Sequence, residues 1–425
     1  MIPRYRQRLA SLPLSGDPIW VDDDRFNVRY HVRHTRLPRP GDERELKRLS
    51  ARIMSQRLDR HRPLWELWLV EGLPDGRFGL VTKTHHCMID GVSGVDISTV
   101  LMQMVPGDTA VEPPVPWEPR PAPSTATLLA EDVRRRARVP VDVARAAVPM
   151  VREWRSVQAA LRSNLDGLAQ LLRLAWRGAA RTPLNRPIGP HRRFDWLVVP
   201  LADAKAIKSR LGGTLNDVLL AVVSGALGAF LRRRRVNVEV LDFIGTIPVN
   251  IRIPGDHSGG TKVAAWFAPL PLGEQDPVRR LERVRSTTQA LKAQSHADPT
   301  VQLFKLADVG GPPALHAVVR LAQTLNPANL IVTNVPGPPF PLFILGSRMV
   351  AAYPLVTLLA NQALGIAVFS YDGRLHFGFN ADWDLVPDLH DLVLEVERTF
   401  DELRQAAAAA GAQAARDVVP DAASA

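Results

Sequence analysis

Cysteine, targeting segments and long apolar runs are scarce in this chain, and each absence excludes a class of protein. One cysteine, Cys87, stands among 425 residues, which excludes an internal disulfide and is typical of a reducing compartment. No apolar segment of a signal peptide follows Met1. The uncharged run 218–231 is too short to span a bilayer, and the run 349–371 contains Pro354 and amide side chains. Both runs are predicted to be core segments.

Nucleic-acid motifs are also missing, although the chain is basic. Lys and Arg number 53 against 43 Asp and Glu, which indicates a phosphate-bearing partner such as a nucleic acid, an anionic membrane or a polyphosphate cofactor. Most of the excess lies in residues 134–181, where eleven arginines accompany three acidic residues. No zinc-finger spacing, RNP-type strand or interleaved tyrosines accompany them. Nucleic acid is therefore not predicted as a partner.

The most informative pattern in the chain is a pair of histidines at the end of a predicted strand. Residues 77–82 are β-prone and roughly alternate in polarity, and residues 92–105 carry apolar side chains at helical intervals. His85 and His86 therefore lie where a strand ends before a helix. Because adjacent strand residues point to opposite faces, the alternation predicts that His86 faces inward with the even-numbered residues of 78–84.

His85, His86, Asp90 and Gly91 form the pattern HHxxxDG. This pattern is the signature of the CoA-dependent acyltransferase superfamily, which includes chloramphenicol acetyltransferase and the condensation domains of peptide synthetases. A histidine pair followed by an aspartate is also common at an ordinary strand end. The pattern alone therefore leaves both acyl transfer and a structural role open.

Four further blocks accompany the histidines and decide between these interpretations. They lie at Pro63, Leu64 and Trp65; at Asn216, Asp217 and Val218; at Pro248 to Arg252; and at Asn334 to Pro338. Together with HHxxxDG, these blocks resemble the bacterial wax ester synthase/diacylglycerol acyltransferase family, and the resemblance extends from about Tyr5 to Arg404.

Two departures from the family pattern stand out. Relatives usually carry Gly-Asn where this chain has Gly259, Gly260 and Thr261, so the local role of that asparagine is in doubt. Relatives also begin with a further N-terminal segment that contains an extra strand near the active-site channel. We expect the genomic sequence upstream of Met1 to encode such a segment in frame.

The resemblance implies a two-lobed α/β fold with mixed sheets and an active-site channel between the lobes. The predicted units are residues 1–105 as the N-terminal lobe with HHxxxDG, and residues 106–182 as a proline-rich linker with arginine-rich amphipathic helices. Residues 183–410 are predicted as the C-terminal lobe and residues 411–425 as a disordered tail. The arginine-rich segment is predicted to form two helices, broken at Pro140 and Pro149.

The family chemistry gives each motif residue an expected role. An imidazole titrates near neutral pH and can take the proton of an alcohol, so His86 is the expected general base and His85 its supporting neighbour. Asp90 is expected to hold the loop through an arginine, for which Arg252 is the candidate. Gly91 allows the turn and the substrate to approach each other closely.

The Asn-Asp block after Thr214 has two interpretations. Thr214 or Asn216 can cap the helix that follows, and most Asn-Asp pairs at helix starts need no further role. In the family the block faces the catalytic channel, so Asn216 is also the candidate oxyanion donor. Pro63, Leu64, Trp65, Asp217 and Arg252 complete the predicted set of motif and substrate-binding residues.

Two alternative chemistries at the histidines are disfavoured by geometry. Cys87 adjoins His86 and should point the other way, which argues against a cysteine nucleophile. Three successive side chains cannot converge tetrahedrally, so His85, His86 and Cys87 are not expected to bind zinc. We expect no metal and no bound cofactor, with acyl-CoA as co-substrate.

The sequence therefore predicts an acyl-CoA-dependent O-acyltransferase that esterifies diacylglycerol or a fatty alcohol. Two alternatives stay open: a related acyltransferase acting on a polyketide or glycolipid alcohol, and a lipid-surface binding protein whose site has decayed. The predicted location is cytoplasmic and peripheral to the inner membrane or lipid droplets. An apolar stripe from Trp154 to Trp176 among arginines predicts contact with an anionic bilayer, and packing on the protein itself is the competing interpretation.

Overall fold

The computed structural model describes residues 2–88, 101–107, 116–152, 179–250, 263–294 and 328–418. The strands, numbered in chain order, are β1 (Gln7–Ser11), β2 (Pro18–Asp22), β3 (Val32–Arg36), β4 (Trp65–Glu71), β5 (Gly79–Thr84), β6 (Arg192–Pro200), β7 (Ile244–Asn250), β8 (Val263–Pro269), β9 (Leu330–Pro336), β10 (Phe343–Ile344), β11 (Ser347–Arg348), β12 (Leu364–Tyr371) and β13 (Arg374–Asp382). The α-helices are α1 (Val28–His31), α2 (Glu43–Ser55), α3 (Thr125–Arg152), α4 (Leu201–Leu211), α5 (Leu215–Arg233), α6 (Pro277–Gln294) and α7 (Leu389–Val418).

The N-terminal lobe is built on a three-stranded sheet in which β4 lies between β3 and β5. Strand β3 runs parallel to β4, and β5 runs antiparallel to it. Side chains alternate between the two faces of this sheet along each strand, and each face packs against a different part of the lobe. On one face, Val70 and Val81 pack against α2. On the other face, Trp65 and Leu67 pack against the aromatic residues near the N-terminus.

The C-terminal lobe is built on a six-stranded mixed sheet of order β6-β13-β12-β9-β7-β8. Helix α5 packs against one face of this sheet, and from Asp217 to Leu231 every residue except Ala229 is buried. Among the described residues, α5 is the one helix long and apolar enough to cross a membrane by length and composition. It is enclosed by the sheet and by helices α4, α6 and α7, so residues 218–231 form core, as the sequence predicts.

Within the described ranges, two sets of contacts join the lobes. The first lies where α2 packs on β6, and polar side chains from the two elements meet there. The side-chain pairs are Lys47 with Asp195 (2.6 Å) and Glu43 with Trp196 (3.1 Å), and the Ser55 hydroxyl accepts from the backbone N–H of Arg192 (2.9 Å). The second is an antiparallel backbone bridge between Gln103 and Phe343. The histidine-bearing lobe is thus held at two separate places.

Helix α3 corrects the prediction of two helices broken at Pro140 and Pro149, because it runs through both prolines as one helix of 28 residues. Each proline removes a single hydrogen-bond donor from the helix, and the bonds on either side maintain it. The N-terminal part of α3 is held to the first hairpin by Asp132, which accepts hydrogen bonds from the backbone N–H groups of Leu14 and Ser15 at 2.7 and 2.8 Å.

Other boundaries differ from prediction by a few residues. The alternating polarity of residues 29–37 predicts one strand, but Asn27 caps a helical turn before β3 begins at Val32. Helix α7 continues to Val418, beyond the predicted end at residue 410, because the alanines that follow residue 405 have the highest helix propensity. Residues 411–418 are therefore helix rather than disordered tail.

Candidate active site

The histidine pair lies on a tight turn at the end of β5. Thr84, the last residue of β5, pairs with Trp65 of β4, and the ladder extends one residue further because the His85 N–H donates to the Leu64 carbonyl at 2.9 Å. A 3₁₀ turn then covers His86–Met88, with the Met88 N–H donating to the His85 carbonyl at 2.9 Å. Buried Met88 packs into the N-terminal core and fixes the far end of the turn.

Both histidine side chains are exposed, which corrects the prediction that His86 faces inward. That prediction extended strand alternation to residue 86, but β5 ends at Thr84 and the backbone turns there. Phe78, expected to lie on the inward face, precedes the strand and is 38% exposed. Strand alternation therefore does not determine which histidine faces the substrate.

The two imidazoles differ in their contacts. The Cys87 N–H donates to Nδ1 of His85 at 3.3 Å, so Nδ1 of His85 carries no proton and Nε2 holds it in the neutral ring. Partial burial lowers the pKa of His85, and the positive charge of Arg60 and the neighbouring His86 lower it further. No hydrogen bond to the His86 ring is present among the described residues. Within the described ranges, both ring nitrogens of His86 are therefore without a hydrogen-bond partner, whereas Nδ1 of His85 is already paired.

The Pro-Leu-Trp block forms the floor beneath the turn rather than a surface for substrate. Pro63, Leu64 and Trp65 are all buried. The indole N–H of Trp65 donates to the Tyr5 carbonyl at 2.8 Å, and its ring packs in the same core as Met88. This block therefore acts on the histidine turn through packing and through the Leu64 carbonyl.

The Asn-Asp block at the start of α5 separates into two roles. Thr214 and Asp217 form a reciprocal cap, in which each side chain accepts from the backbone N–H of the other. Asp217 is 3% exposed and also accepts hydrogen bonds from the hydroxyls of Thr214 and Thr288. Asn216 is half-buried, and its amide makes no hydrogen bond within the described part of the chain. Asp217 is thus structural, while Asn216 keeps its donor.

Several predicted residues lie outside the described ranges. These are Asp90, Gly91 and Arg252, together with most of the helix predicted at 92–105 and the stripe from Trp154 to Trp176. The expected roles of these residues remain predictions. Within the described ranges, no three His, Cys, Asp or Glu side chains are placed to hold a metal ion.

Two buried histidines were not singled out by sequence analysis. His31 ends α1 and is 1% exposed, and His376 lies in β13 and is also 1% exposed. Neither belongs to a short motif, and a single buried histidine has no periodic signal. Their positions follow from tertiary packing alone.

Profiles of protein families match both halves of the chain. The wax ester synthase/diacylglycerol acyltransferase catalytic domain matches residues 1–219. The WS/DGAT C-terminal domain matches residues 259–404. The first match contains the histidine turn and the helix cap at Thr214, and the second contains β8 to β13.

Mycobacterial proteins that carry diacylglycerol O-acyltransferase names are similar to this chain along most of its length. The probable diacylglycerol O-acyltransferase tgs2 of Mycobacterium tuberculosis is 33% identical over 393 residues, which cover 91% of this chain and 84% of that protein. Another M. tuberculosis protein with a provisional diacylglycerol O-acyltransferase name is 35% identical over 424 residues, covering 92% of this chain and 84% of its own length.

Among solved structures, the fold is similar to the wax ester synthase/diacylglycerol acyltransferase of Marinobacter aquaeolei. The TM-score is 0.67 at 24% identity, with 95% of this chain and 86% of that chain covered. The first condensation domain of the CDA synthetase shares the fold at a TM-score of 0.50 and 17% identity, covering 96% of this chain and 84% of that one. The chain belongs to the wax ester synthase/diacylglycerol acyltransferase family of acyl-CoA-dependent acyltransferases.

Proposed function

We propose that this chain esterifies the hydroxyl of a lipid alcohol, diacylglycerol or a fatty alcohol, with His86 as the general base. The observation that carries this proposal is the unequal use of the two imidazoles. Nδ1 of His85 accepts the Cys87 N–H, whereas the ring of His86, on the same turn, has no hydrogen-bond partner among the described residues. A general base must reach its proton donor within hydrogen-bond distance, and His86 is the ring free to do so.

The reaction needs one proton transfer in each direction. His86 takes the proton of the acceptor hydroxyl, and the oxygen attacks the thioester carbonyl of acyl-CoA. The tetrahedral intermediate then collapses, the carbon–sulfur bond breaks, and the leaving CoA thiolate takes the proton from His86. Atoms and charge balance without a covalent enzyme intermediate, and positioned general-base catalysis contributes roughly 10²–10⁴-fold.

Asn216 is assigned to the oxyanion of the intermediate. A side-chain amide is an effective donor to developing negative charge, worth about 2.7–4 kcal/mol where such donors have been removed. The reciprocal cap formed by Thr214 and Asp217 fixes the first turn of α5. This preorganisation supports the assignment, because a donor held in place needs no reorganisation during the reaction.

Purified protein, labelled acyl-CoA and a panel of acceptors, resolved by lipid chromatography, test the proposal. The wild type should form triacylglycerol or wax ester, and the panel identifies the acceptor. His86→Ala should lower kcat by roughly 10²–10⁴-fold. Its thermal midpoint should stay unchanged, since His86 is exposed and surface substitutions are usually neutral for stability.

His85→Ala is the matched control, because it removes the same ring one residue earlier. It should lower kcat less, since it releases the Cys87 N–H but leaves the base in place. An inactive His85→Ala beside a His86→Ala that still turns over would assign the base to His85. A wild type inactive towards every acceptor, while stably folded, would favour the decayed lipid-binding alternative.

We further propose that α3 brings the enzyme to an anionic bilayer as a peripheral protein on the cytoplasmic side. Leu129 and Val133 are 41% and 52% exposed, and their spacing places them on one face of the helix. Arg134, Arg135 and Arg136 follow with more than half of each side chain exposed; they pair with Glu131 and Asp132, and three arginines against two acids leave a net positive charge there. Exposed apolar residues beside arginines are typical of helices that lie in a membrane interface.

Co-sedimentation with anionic vesicles tests this second proposal. Binding should weaken as salt rises, because the attraction is screened over about 8–10 Å at ordinary ionic strength. Leu129→Ser with Val133→Ser should reduce binding, while the same change at exposed Val240 should not. Binding that is equal on neutral vesicles would contradict the electrostatic part of the proposal.

A further inference from the structure

Beneath the histidine turn lies a column of stacked rings that includes His31. The imidazole of His31 is stacked on the Trp65 indole, with ring centroids 4.7 Å apart and an interplanar angle of 17°. On its other side it is stacked on Phe26 at 5.3 Å, again at 17°. Phe26 in turn meets Trp117 edge-on at 6.2 Å. The column therefore runs from the floor of the candidate active site to the segment after residue 116.

His31 also makes a directed contact within this column. Its Nδ1 lies 2.8 Å from the Trp65 carbonyl oxygen. A carbonyl can only accept, so Nδ1–H donates and the tautomer of His31 is fixed. Burial lowers the pKa of His31, which is consistent with a neutral ring. This hydrogen bond holds the backbone at the first residue of β4.

That residue is directly connected to the histidine turn. The Leu64 carbonyl, one residue before Trp65, accepts the His85 N–H at 2.9 Å. Trp65 pairs with Thr84, the last strand residue before the turn. The Trp65 ring packs in the same core as Met88, which ends the turn. The backbone that enters the turn is therefore bonded beside Trp65, and the Met88 side chain at the end of the turn packs with the Trp65 ring.

We infer that His31 is a positioning residue, whose Nδ1–H bond to Trp65 sets the height and direction of the His85–Met88 turn. This inference rests on the proposed function of His86, because the imidazole being aimed is the general base. A displacement of about 1 Å in an active site can lower a rate roughly 100-fold. The ring and hydrogen-bond contacts of His31 are with Phe26, Tyr30 and Trp65, so it acts on the turn through β4.

Two substitutions separate the hydrogen bond of His31 from its ring. His31→Phe keeps an aromatic ring in the stack and removes the donor. His31→Asn keeps an amide donor near the position of Nδ1 and removes the ring. We expect His31→Phe to lower kcat by roughly 10- to 100-fold with KM for acyl-CoA changed by no more than about twofold. We expect His31→Asn to recover most of that loss.

Cys87 supplies a readout that does not depend on activity. It is the single cysteine of the chain, it is exposed, and it lies within the turn itself. Its rate of labelling by a thiol reagent should change in His31→Phe and return towards the wild-type rate in His31→Asn. His34→Phe is the matched control, because His34 lies on β3 and is exposed. It should change neither the labelling rate nor kcat.

The inference is overturned if Cys87 labelling and kcat in His31→Phe match the wild type at a temperature where both proteins are folded. It is also overturned if His31→Asn is no better than His31→Phe. Should His31→Phe fail to fold, His31→Gln replaces it, because the longer side chain moves the donor away from the Trp65 carbonyl. An active His86→Ala would refute the proposed base, whereas unchanged Cys87 labelling would refute the positioning role.

Discussion

The turn at His85–Met88 and the turn at Thr214–Asp217 both present polar side chains at the junction of two elements, yet the protein uses those side chains differently. At the first turn, backbone bonds and buried Met88 maintain the geometry, and the His86 ring is left exposed. At the second turn, both carboxylate oxygens of Asp217 are hydrogen-bonded and the side chain is buried.

This difference separates chemistry from support among residues that belong to similar motifs. A buried carboxylate that already accepts three hydrogen bonds is fixed by them, and a movement towards a substrate would break at least one. Asp217 is therefore support, although it lies beside a candidate catalytic residue. His86 and Asn216 are available for chemistry, since the described protein leaves their polar atoms unpaired. This distinction fails if replacing His86 or Asn216 leaves activity unchanged, or if replacing Asp217 removes activity without lowering stability.

Of the substitutions at the second turn, Asn216→Ala is expected to have the largest effect on activity. If the amide binds the oxyanion, kcat should fall by roughly 10²–10³-fold. The free energy of unfolding should change by no more than about 0.5 kcal/mol, because the cap is made by Thr214 and Asp217. Steady-state kinetics and denaturant unfolding on the same preparation measure both quantities. Asn237→Ala, at an exposed position beyond the end of α5 where the amide oxygen accepts only from the Glu239 N–H, should leave kcat unchanged.

Asp217→Ala should show the opposite pattern, with stability as the primary loss. Removing a helix cap costs about 1 kcal/mol, and losing the buried hydrogen bond from Thr288, whose hydroxyl keeps only the Arg285 carbonyl as acceptor, costs about 0.5–1.5 kcal/mol more. We expect a loss of about 1.5–2.5 kcal/mol in the free energy of unfolding, measured with urea. Asp242→Ala, in an exposed loop of the same lobe, is the control. Full stability with lost activity would show that Asp217 is catalytic and that the comparison fails.

Secondary-structure elements were predictable from the sequence where several local signals agreed. Asp42 caps α2, as its position before an apolar-periodic segment indicates. An Asp-Gly pair between two strands favours a tight hairpin, and Asp372 and Gly373, which join β12 and β13, both have the positive φ angles that such a turn requires. In each case one short segment contains all the information.

The candidate site was predictable only in part, because its geometry depends on contacts between distant segments. The identity of the motif residues came from the pattern HHxxxDG and from family resemblance. The direction of His86 did not, since strand alternation ends where the backbone turns at residue 84. Thr214 was one of two predicted caps of α5, but the part of Asp217 in that cap was not predicted, and its bond to Thr288 of α6 joins residues 71 positions apart. The buried position of His31 likewise depends on Trp65, 34 residues away.

His376 extends the comparison to a polar side chain that is neither paired nor exposed. Both of its ring nitrogens are buried without a hydrogen-bond partner in the described part of the structure. Such a ring is tolerated because it is neutral, and burial, followed by the charge of Arg374, lowers its pKa to about 4. An unfolded histidine titrates near about 6.5. The folded protein therefore binds this proton less readily than the unfolded chain.

The sign of the pH dependence follows from that difference. Above about pH 6.5 both states are neutral at His376, and as the pH falls towards 4 the unfolded chain is protonated first, so stability is lost. Between pH 7.5 and 5.0 the loss should be on the order of 2 kcal/mol. His376→Phe keeps the ring and removes the titration, so its urea-unfolding free energy should fall less over this range. The difference between His376→Phe and the wild type isolates the contribution of His376, because His31, whose pKa is also lowered, contributes equally to the pH dependence of both proteins. Identical pH dependence in the two would show that the His376 site opens to solvent before the ring is protonated.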